Sequence, residues 1–568
     1  MAPPIKRYYE DDHEHDGLFA RGTFEDRDRD TYINDVSDED PLELNLDPFG
    51  GQGFIWRGKP IFDQDGVIKQ IDSGREINAS NGVITFGFAD GNGLTGLYNN
   101  PKYGFDAGLG FREFSDSQKA ATRESMQMWD DLIAVEIRET NGNGADIIFA
   151  NSADPGQAYA YLPIPTRGWK FQSDVFVREP AENWTNEWFG TGGYGKTTIL
   201  HEAGHSLGLT HPGDYNGAGA TNYLGQAEYA QDSEQYTLMS YWSASETGAR
   251  IVDWNTFLFH NPQTPLLHDI LTIQAKYGAD PDTRADDTTY GFNTNTTLWV
   301  YDFNLNPYPY LSVYDSGGID TIDASGFTVS QFIDLHQGSF SSIGAGAPNA
   351  ADVNAARAEI SELAGGGFGP ISQGTINAVI ANYQTGHANS IASDTAFVYG
   401  EAVTGITTTE YQNFSIAYGT IIENATGGSG RDLIFGNEVD NVLKGMAGND
   451  VIDGFEGDDI IIGGLGADKL TGGEGADTFV FDNLELGDLI TDFESEDMID
   501  LSALGENAIS ELSFIGDAEF SGGSDNAEVR YKDGMLQADV DGDGVADFQV
   551  YLEGMPDVMP DQLILLDG

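Results

Sequence analysis

Cysteine is absent from the 568-residue chain, and basic residues are few. The absence of cysteine excludes disulfide bonds, thiolate metal ligands and cysteine nucleophiles together. Only 27 lysines and arginines stand against 92 aspartates and glutamates, a formal net charge of −65. Such a surface repels phosphate backbones and anionic lipid, so nucleic-acid and membrane-surface partners are not expected. A secreted chain without disulfides needs another cross-link, and bound metal is the obvious one.

Long apolar runs are also missing. No stretch approaches the roughly 20 apolar residues of a membrane span, so membrane insertion is not expected. The first residues, MAPPIKRYYEDDHEHDG, lack the apolar centre of a secretory signal peptide. The protein therefore either stays inside the cell or leaves by a route encoded elsewhere in the chain.

The chain divides into regions of different composition. Residues 1–58 are polar and acidic, and we interpret them as an unfolded leader and propeptide. Residues 59–284 have the apolar patterns of a globular domain. Short strand-like runs rich in glycine and aspartate follow over 285–502, with an alanine- and glycine-rich insertion at about 346–410. Residues 503–568 predict a C-terminal β segment.

Three helices and two strands can be located in the globular region. The stretch DSQKAATRESMQMWDDLI predicts a helix capped by Asp116 or Ser117. A second helix should start near Gly195, and PLLHDILTIQAKYG predicts a third that Gly278 closes. ADIIFAN and QAYAYLP predict strands. The insertion contains one short helical candidate and no chemical motif.

Between residues 427 and 480 the sequence repeats every nine residues without a slip. The repeat predicts a calcium-loaded parallel β-roll, in which glycines form the turns and carboxylates bind a hard cation. A flexible linker of glycine and aspartate would not keep an apolar column. That column, at the eighth position of each repeat, is Ile434, Leu443, Ile452, Ile461, Leu470 and Phe479.

Two nonapeptides make one turn of such a roll, so each calcium ion should bridge repeats n and n+2. The expected pairs are Asp432 with Asp450, Asn441 with Asp459, Asp450 with Asp468, and Asp459 with Asp477. The glycines of the repeats are assigned to the same calcium sites: Gly428, Gly430, Gly445, Gly448, Gly454, Gly457, Gly463, Gly464, Gly466, Gly472, Gly473 and Gly475.

The stretch GTGGYGKTTILHEAGHSLGLTH, residues 190–211, satisfies two motifs at once. Its first part matches a nucleotide-binding P-loop through Gly190, Gly195, Lys196 and Thr197. That loop needs an apolar strand directly before it, so that backbone amides at a helix start can bind phosphate. The preceding REPAENWTNEWF is polar, and no apolar run ending in aspartate follows to hold Mg²⁺. The P-loop reading is therefore rejected.

The second part predicts a zinc site. His201 and His205 are four residues apart and project from one face of a helix, with Glu202 beside them as the candidate general base. Gly208 can end the helix, so that His211 returns as a third ligand. Three neutral imidazoles leave a coordination position open for water, as a catalytic site requires. The alternative is a helix whose histidines merely face solvent.

The spacing HEAGHSLGLTH is that of the metzincins, and YTLMSYW resembles their Met-turn, with Met239 beneath the metal. With HPGDYNG after the third histidine and the repeats behind, the chain resembles the serralysins, the RTX-type secreted metalloproteases of the metzincin clan. The resemblance runs from about residue 59 to near the C-terminus and is interrupted by 346–410. It includes GQAYAYLP, which is similar to the family's substrate-aligning edge strand. It implies an α+β metzincin-like zinc protease domain followed by an all-β parallel β-roll (RTX) domain.

The resemblance also implies further roles. Tyr241 would be a fifth, displaceable zinc ligand that later stabilises the oxyanion. Further calcium ligands would be Arg284, Asp286 and Thr288 through backbone oxygens, with Asp315, Gly317, Gly318, Asp320 and Glu423, and Glu485 and Asp488 after the last repeat. The family leaves the cell by type I secretion with an uncleaved C-terminal signal. We therefore expect an extracellular, monomeric enzyme made as a zymogen. Its expected partners are protein or peptide substrates, the type I secretion machinery and a proteinaceous inhibitor.

Two function classes stay open at this point. The first is a secreted zinc-dependent endopeptidase that also binds several calcium ions. The second is a catalytically silent calcium-binding RTX exoprotein, an adhesin or surface component. The intact set of zinc-binding residues and Glu202 argues against the silent reading.

Other acidic and histidine-containing stretches are weaker candidates. DVDGDGVADF, with Asp539, Asp541 and Asp543, starts like an EF-hand loop, but Val550 stands where the bidentate glutamate belongs, so an acidic hairpin is favoured. Whether the histidines of the leader, His13 and His15, contact the zinc in a zymogen is open, and solvated side chains are the simplest reading. Four isolated histidines are interpreted as structural or surface residues: His260, His268, His336 and His387.

Overall fold

The computed structural model describes residues 46, 55–91, 110–153, 156–164, 172–215, 220–398, 400–484, 486–505, 508–522 and 526–565. These residues form two compact units. The first contains the described residues up to Thr283, together with Tyr310–Ser316 and Pro348–Asn377. The second contains Arg284–Pro309, Gly317–Ala347 and the described residues from Ala378 onwards. Most of the acidic leader, with His13 and His15, lies outside the described residues.

Eight α-helices lie within the described ranges. They are α1 (Gln64–Ile71), α2 (Asp116–Asp130), α3 (Tyr194–Leu207), α4 (Tyr223–Gln226), α5 (Leu267–Tyr277), α6 (Ala350–Leu363), α7 (Gln373–Val398) and α8 (Ser502–Gly505). None of them combines the length and the apolar character that crossing a membrane requires.

The strands before residue 284 all belong to the first unit. They are β1 (Ile55–Trp56), β2 (Lys59–Pro60), β3 (Val83–Phe88), β4 (Glu136–Glu139), β5 (Ile147–Ser152), β6 (Ala158–Ala160), β7 (Ser173–Arg178), β8 (Val252–Asp253) and β9 (Leu258–Phe259).

The later strands belong to the second unit, except for β11. They are β10 (Thr289–Gly291), β11 (Leu311–Val313), β12 (Thr321–Asp323), β13 (Phe332–Asp334), β14 (Phe340–Ser341), β15 (Phe414–Ile416), β16 (Asn424–Thr426), β17 (Leu433–Asn437), β18 (Val442–Lys444), β19 (Val451–Phe455), β20 (Ile460–Ile462), β21 (Lys469–Thr471), β22 (Thr478–Val480), β23 (Leu486–Ile490), β24 (Met498–Asp500), β25 (Ser513–Phe514), β26 (Glu528–Lys532), β27 (Met535–Asp539), β28 (Phe548–Leu552) and β29 (Leu563–Ile564).

The first unit is built on a five-stranded sheet in the order β4-β3-β5-β7-β6. Four strands are parallel, and β6 pairs antiparallel with β7 at one edge. Every residue of β5 is buried, which is typical of a central strand covered on both faces. Helix α3 packs against α2, and the indole Nε1 of Trp129 donates a hydrogen bond to the carbonyl of Leu200 at 3.2 Å.

The predicted helix caps are confirmed in one case and wrong in another. Gly278 ends α5 with φ 80°, as predicted. Helix α2 is capped by Ser115 and not by Asp116 or Ser117. The Ser115 side chain accepts from the amide of Gln118, whose own side chain accepts from the amide of Ser115. This reciprocal pair satisfies two helix-end donors at once, which an isolated Asp116 cap cannot do.

Successive nonapeptides place their strands alternately in two parallel sheets of the second unit. Strands β16, β18, β20 and β22 are neighbours in one sheet, and β17, β19, β21 and β23 are neighbours in the other. Paired residues are two repeats apart, such as Ile434 with Ile452 and Leu443 with Ile461. All six residues of the apolar column are 0% exposed, which confirms that the column forms a core.

The segment interpreted as an insertion is more helical than its sequence predicts. The alanine-rich part forms α6, and the 26-residue α7 follows, which the pattern analysis missed. Helix α7 contains glycines and β-branched residues of low helix propensity and no clear apolar stripe. Tertiary packing supports it, because Ile391 lies in a buried cluster with Leu433 and Phe435.

Candidate active site

Three histidines converge at the end of α3. The Nε2 atom of His211 lies 3.3 Å from that of His201 and 3.1 Å from that of His205. The three rings are 6%, 1% and 6% exposed for His201, His205 and His211. The prediction that these residues come together is therefore matched by their geometry.

The other ring nitrogen of each histidine is held by the backbone. Nδ1 of His201 donates to the carbonyl of Leu238 at 2.7 Å, and Nδ1 of His205 donates to that of Leu209 at 2.9 Å. Nδ1 of His211 donates to the carbonyl of Tyr215 at 3.2 Å. A carbonyl can only accept, so each Nδ1 is protonated and each Nε2 presents a lone pair.

This donor set fits Zn²⁺. Zinc–nitrogen bonds of 2.0–2.1 Å at tetrahedral angles separate the ligand nitrogens by about 3.3 Å, close to the distances observed. Three neutral imidazoles with fixed tautomers leave one coordination position for water, which is typical of a catalytic site. Without a cation, the three lone pairs would face one another in a buried space.

Glu202 and Tyr241 lie beside these histidines. Glu202 follows His201 on α3 and is 0% exposed. The Tyr241 ring centroid is 4.4 Å from that of His211 and 6.2 Å from that of His201. An acidic side chain and a phenol therefore accompany the three imidazoles, as the motif predicts.

Two glycines give α3 and its end their shape. A Cβ atom at Gly204 would lie 2.8 Å from Sδ of Met239, so Met239 packs closely beneath the helix between His201 and His205. Gly208 ends the helix with φ 103°, and a Cβ there would lie 2.1 Å from the carbonyl oxygen of Arg75. Only glycine fits this turn, which returns the chain toward His211.

Two buried aspartates support the site, and the sequence reading missed both. Asp269 accepts from the Thr237 hydroxyl at 2.6 Å and from the Leu238 amide at 2.8 Å, which fixes the carbonyl that holds His201. Asp232 accepts from the hydroxyls of Tyr215 and Ser240, both at 2.7 Å. Burial raises the pKa of Asp269 to about 6 and that of Asp232 to about 7. A single aspartate outside any motif gives no sequence signal of such a role.

A ladder of carboxylates runs along the second unit at the repeat positions. The amide of Asp432 donates to Oδ1 of Asp450 at 2.8 Å, and that of Asp450 donates to Oδ1 of Asp468 at 2.8 Å. On the other side, the amide of Asn441 donates to Asp459 at 2.7 Å, and that of Asp459 donates to Asp477 at 3.0 Å. The four predicted n and n+2 pairs are thus neighbours.

The ladder continues beyond the repeats. Asp488 accepts from the amide of Asp468 at 2.9 Å, in line with its predicted position. Asp497 accepts from the amide of Asp477 at 3.1 Å in the same way, and the sequence reading missed it. Both links span 20 residues instead of 18. The sequence signal for Asp497 was an aspartate one turn of the repeats after Asp477, displaced by two residues because the loop is longer. Glu485 lies outside the described residues.

The ladder carboxylates fit a cation better than they fit each other. The Oδ2 atoms of Asp450, Asp459 and Asp477 are buried without a hydrogen-bond partner. Burial raises the pKa of Asp450 to about 8, that of Asp459 to about 7 and that of Asp477 to about 6. Orphaned carboxylate oxygens are the ligands that Ca²⁺ prefers. The assigned glycines lie in the segments between the strands, except for Gly454, which lies within β19. A Cβ at Gly466 would lie only 1.5 Å from the carbonyl oxygen of Gly448.

The loops before the repeats bring together most of the remaining predicted residues. The amide of Thr288 donates to Asp320 at 2.7 Å, and the amide of Asp320 donates to Glu423 at 2.6 Å. A Cβ at Gly318 would lie 2.9 Å from the carbonyl oxygen of Asp286, so these two backbones are close. The structure places the five remaining predicted ligands as follows: Gly317 (φ 146°) and Arg284 (φ 53°) lie in these loops, Gly428 and Gly430 lie before β17, where the Gly428 amide donates to Asp432, and Asp315 is buried in the first unit.

Comparison with known proteins fits this geometry. The family model "Peptidase M10 serralysin C terminal" matches residues 279–409 and 402–564. "Metalloprotease AprA" of Pseudomonas entomophila (strain L48) is 36% identical over 517 residues, which cover 88% of this chain and 89% of the relative. "Metallopeptidase AprA" of Pseudomonas marginalis is 37% identical over 78% of this chain and 80% of its own. "Serralysin" of Proteus mirabilis is 34% identical over 68% and 66%.

The chain belongs to the serralysin family of metalloproteases. As a member of that family it is a zinc metalloendopeptidase that acts on proteins. The resemblance inferred from the zinc motif and the repeats is thereby confirmed. The structure agrees with the family in having many parallel strands in the second unit.

The rejected motifs of this serralysin have other roles. Lys196 is buried and forms an ion pair with the partly exposed Glu124, and the Thr197 hydroxyl donates to the carbonyl of Pro262, so neither side chain serves a P-loop. Asp539, Asp541 and Asp543 lie close together around the turn that joins the antiparallel β27 and β28, as the hairpin interpretation predicts.

Three of the isolated histidines are buried, and the fourth is partly exposed. His260, His268 and His387 are 6%, 1% and 0% exposed, and burial lowers the pKa of His260 to about 4. His336 forms a hydrogen bond with Asp334 at 2.7 Å. All four are consistent with structural roles.

Gly208→Ala should destabilise the protein and weaken its hold on zinc. The added methyl meets the Arg75 carbonyl and forces a side chain into positive φ, which costs about 1–2 kcal/mol for the backbone alone. Gly278→Ala is the matched control, because it also ends a helix at positive φ but meets only Cβ of Ala134 at 3.6 Å.

Thermal unfolding and zinc retention against increasing chelator measure both effects. We expect both variants to unfold at lower temperature and only Gly208→Ala to lose zinc more readily. Equal zinc retention in the two variants would contradict the proposed link between this turn and His211.

Proposed function

We propose that this serralysin is an extracellular endopeptidase that hydrolyses peptide bonds in proteins. Its active site would be the zinc site of His201, His205 and His211, with Glu202 as general base. The observation that carries the proposal is the convergence of three Nε2 atoms whose Nδ1 partners are all backbone carbonyls. The relatives that match this chain over most of their length are named as metalloproteases, which supports the same interpretation.

In the proposed mechanism Glu202 transfers a proton and Tyr241 stabilises the negative charge of the oxyanion. His201, His205 and His211 would hold the zinc, which would supply a water of lowered pKa and polarise the scissile carbonyl. Glu202 takes the proton of the attacking water and passes it to the leaving amine. The Tyr241 hydroxyl donates a hydrogen bond to the oxyanion, a role that its ring position next to His211 supports.

Substrate would be aligned by strand β6. It is the outermost strand of its sheet, with β7 on one side only. An extended peptide can add to such an edge through main-chain hydrogen bonds. Gln157, directly before β6, donates to the Thr198 hydroxyl on α3 at 3.0 Å, one helical turn before Glu202. The edge strand and the catalytic helix are therefore held together.

The alternative, a catalytically silent calcium-binding exoprotein, is not favoured. It would use only the second unit and would leave the three buried histidines without a purpose. Buried polar groups carry a free-energy cost unless they are paired or coordinated.

We further propose that the second unit is a parallel β-roll that takes up Ca²⁺ between carboxylates two repeats apart. The orphaned Oδ2 atoms of Asp450, Asp459 and Asp477 support this. Asp488 and Asp497 would complete the last sites. Calcium would neutralise and cross-link the turns, so its binding free energy becomes folding free energy.

Export and maturation follow from the same proposal. A roll that needs calcium would stay unfolded where calcium is scarce and fold outside the cell, which suits export by the type I secretion machinery. The acidic leader, residues 1–58, remains a proposed propeptide on its composition, and a proteinaceous inhibitor remains a proposed partner.

Glu202→Gln should retain zinc and lose most turnover. Glutamine preserves the shape of the side chain but cannot take a proton, and general-base catalysis contributes about 10²–10⁴-fold. Zinc content and casein hydrolysis, with and without chelator, measure the two properties separately. The control is Glu136→Gln, an exposed carboxylate on β4, which should leave both unchanged. Near-normal proteolysis by a zinc-loaded Glu202→Gln variant would rule out the mechanism.

Calcium and protons should both stabilise the second unit. The folded-state pKa values of Asp450, Asp459 and Asp477, about 8, 7 and 6, exceed the ordinary 3.8 because of burial. The calcium-free fold therefore binds more protons than the unfolded chain, and its stability should fall as the pH rises from about 4 to 8.

Circular dichroism of the inactive Glu202→Gln chain avoids self-digestion and tests this. We expect a weaker strand signal in chelator at pH 8 than in calcium, a cooperative gain with millimolar calcium, and partial recovery in chelator at pH 5. Asp450→Asn should shift the calcium midpoint, whereas Asp517→Asn, an exposed control, should not. The same strand signal in chelator and in calcium at pH 8 would contradict the proposal.

A further inference from the structure

The segment Pro348–Asn377 belongs to the first unit and is fixed there by a buried arginine. Arg357 on α6 is 3% exposed, and its Nη1 donates to the carbonyl of Thr256 at 2.7 Å. Its Nε donates to the carbonyl of Gly369 at 2.8 Å. A guanidinium is buried only when its donors are used, so these bonds hold both the helix and the loop after it.

The loop after α6 presents an aromatic side chain in a fixed position. Asn354 exchanges two hydrogen bonds with the backbone of Ile371, at 3.0 and 2.7 Å, which closes the loop. The ring of Phe368 packs edge-to-face against Trp184, with centroids 5.8 Å apart. Trp184 in turn stacks on Trp188 at 6.0 Å. Phe368 and Trp184 are only partly buried, so they leave an apolar surface at the exterior.

This aromatic pair lies at one end of the edge strand. Trp184 begins a short 3₁₀ helix that ends at Glu187. Gln157 holds that helix by donating to Oδ1 of Asn186 at 2.5 Å and accepting from the Thr185 hydroxyl at 3.2 Å. Gln157 is the residue directly before β6. A peptide paired with β6 would therefore run past Trp184.

The contacts that link Glu202 to Trp184 limit how far apart the two residues lie. Thr198, which bonds to Gln157, precedes Glu202 by one helical turn, or about 5 Å. Trp184 directly precedes Thr185, whose hydroxyl donates to Gln157. An extended substrate advances about 3.3 Å per residue. Substrate positions about three to five residues from the scissile bond would reach the aromatic pair.

We propose that Trp184 and Phe368 form an apolar subsite that selects a large aliphatic or aromatic substrate side chain at such a position. The subsite rests on the proposed proteolytic function. Apolar contacts of this kind discriminate between substrates by about 10-fold or more when a side chain fits. The segment Pro348–Asn377 thereby contributes to cleavage preference.

Cleavage profiling of the full-length enzyme on a mixed peptide library tests the subsite. Phe368→Ala should reduce kcat/KM by about 5- to 10-fold for peptides with a large apolar residue three to five positions from the cleaved bond, mainly through KM. Other peptides should be unaffected. Phe368→Leu should retain most of the preference, because it keeps an apolar surface. Leu363→Ala is the matched control, since Leu363 is a 42% exposed apolar residue of the same segment.

The outcomes separate this inference from the proposed function. An unchanged profile in Phe368→Ala, or a change only at the two residues flanking the cleaved bond, overturns the subsite and leaves proteolysis in place. A loss of all activity in Phe368→Ala with normal thermal unfolding and a normal Phe368→Leu variant also overturns it. A wild-type enzyme that cleaves no library peptide would contradict the proposed function itself.

Discussion

Both units gather side chains of the types that bind metals in buried positions, where a cation between them would offset the free-energy cost of burial. In the first unit, three imidazole lone pairs point at one another across 3.1 and 3.3 Å. In the second, carboxylates stack one turn apart, and burial raises the pKa of Asp450 to about 8. Neither arrangement is favourable in a low-dielectric interior without positive charge. The rest of the structure can be understood as holding these groups in place.

The two sites use this constraint in different ways. The zinc ligands are held in place by hydrogen bonds within the protein. Nδ1 of His201 and of His205 donate to backbone carbonyls, and Asp269 fixes the turn that carries the first of these carbonyls. Such a preorganised site suits catalysis, because an open coordination position can be kept. The carboxylate ladder relies on its own backbone amides, each donating to the next turn. A ladder of this kind suits a cross-link that replaces the disulfides this chain cannot form.

Sequence reasoning reached the parts in which spacing alone determines geometry. The positions of His201 and His205 follow from the helical period, and the pairing of Asp432 with Asp450 follows from the nine-residue repeat. It failed where distant contacts decide. Asp497 was missed because the last turn is longer, and α7 was missed because its stability comes from packing.

The same limit applies to the alanine-rich segment Pro348–Asn377. The Arg357–Thr256 hydrogen bond joins residues 101 positions apart. No local sequence pattern predicts that Phe368 of the alanine-rich segment packs against Trp184. Composition alone marked about 346–410 as an insertion without chemistry, whereas its part Pro348–Asn377 belongs to the first unit.

The most direct test of the account is X-ray absorption at the zinc edge, together with anomalous diffraction from crystals of the purified enzyme. The account predicts one zinc with three histidine nitrogens at about 2.0–2.1 Å, and anomalous density among His201, His205 and His211. A zinc bound chiefly by carboxylate oxygens, or anomalous density away from these histidines, would contradict it.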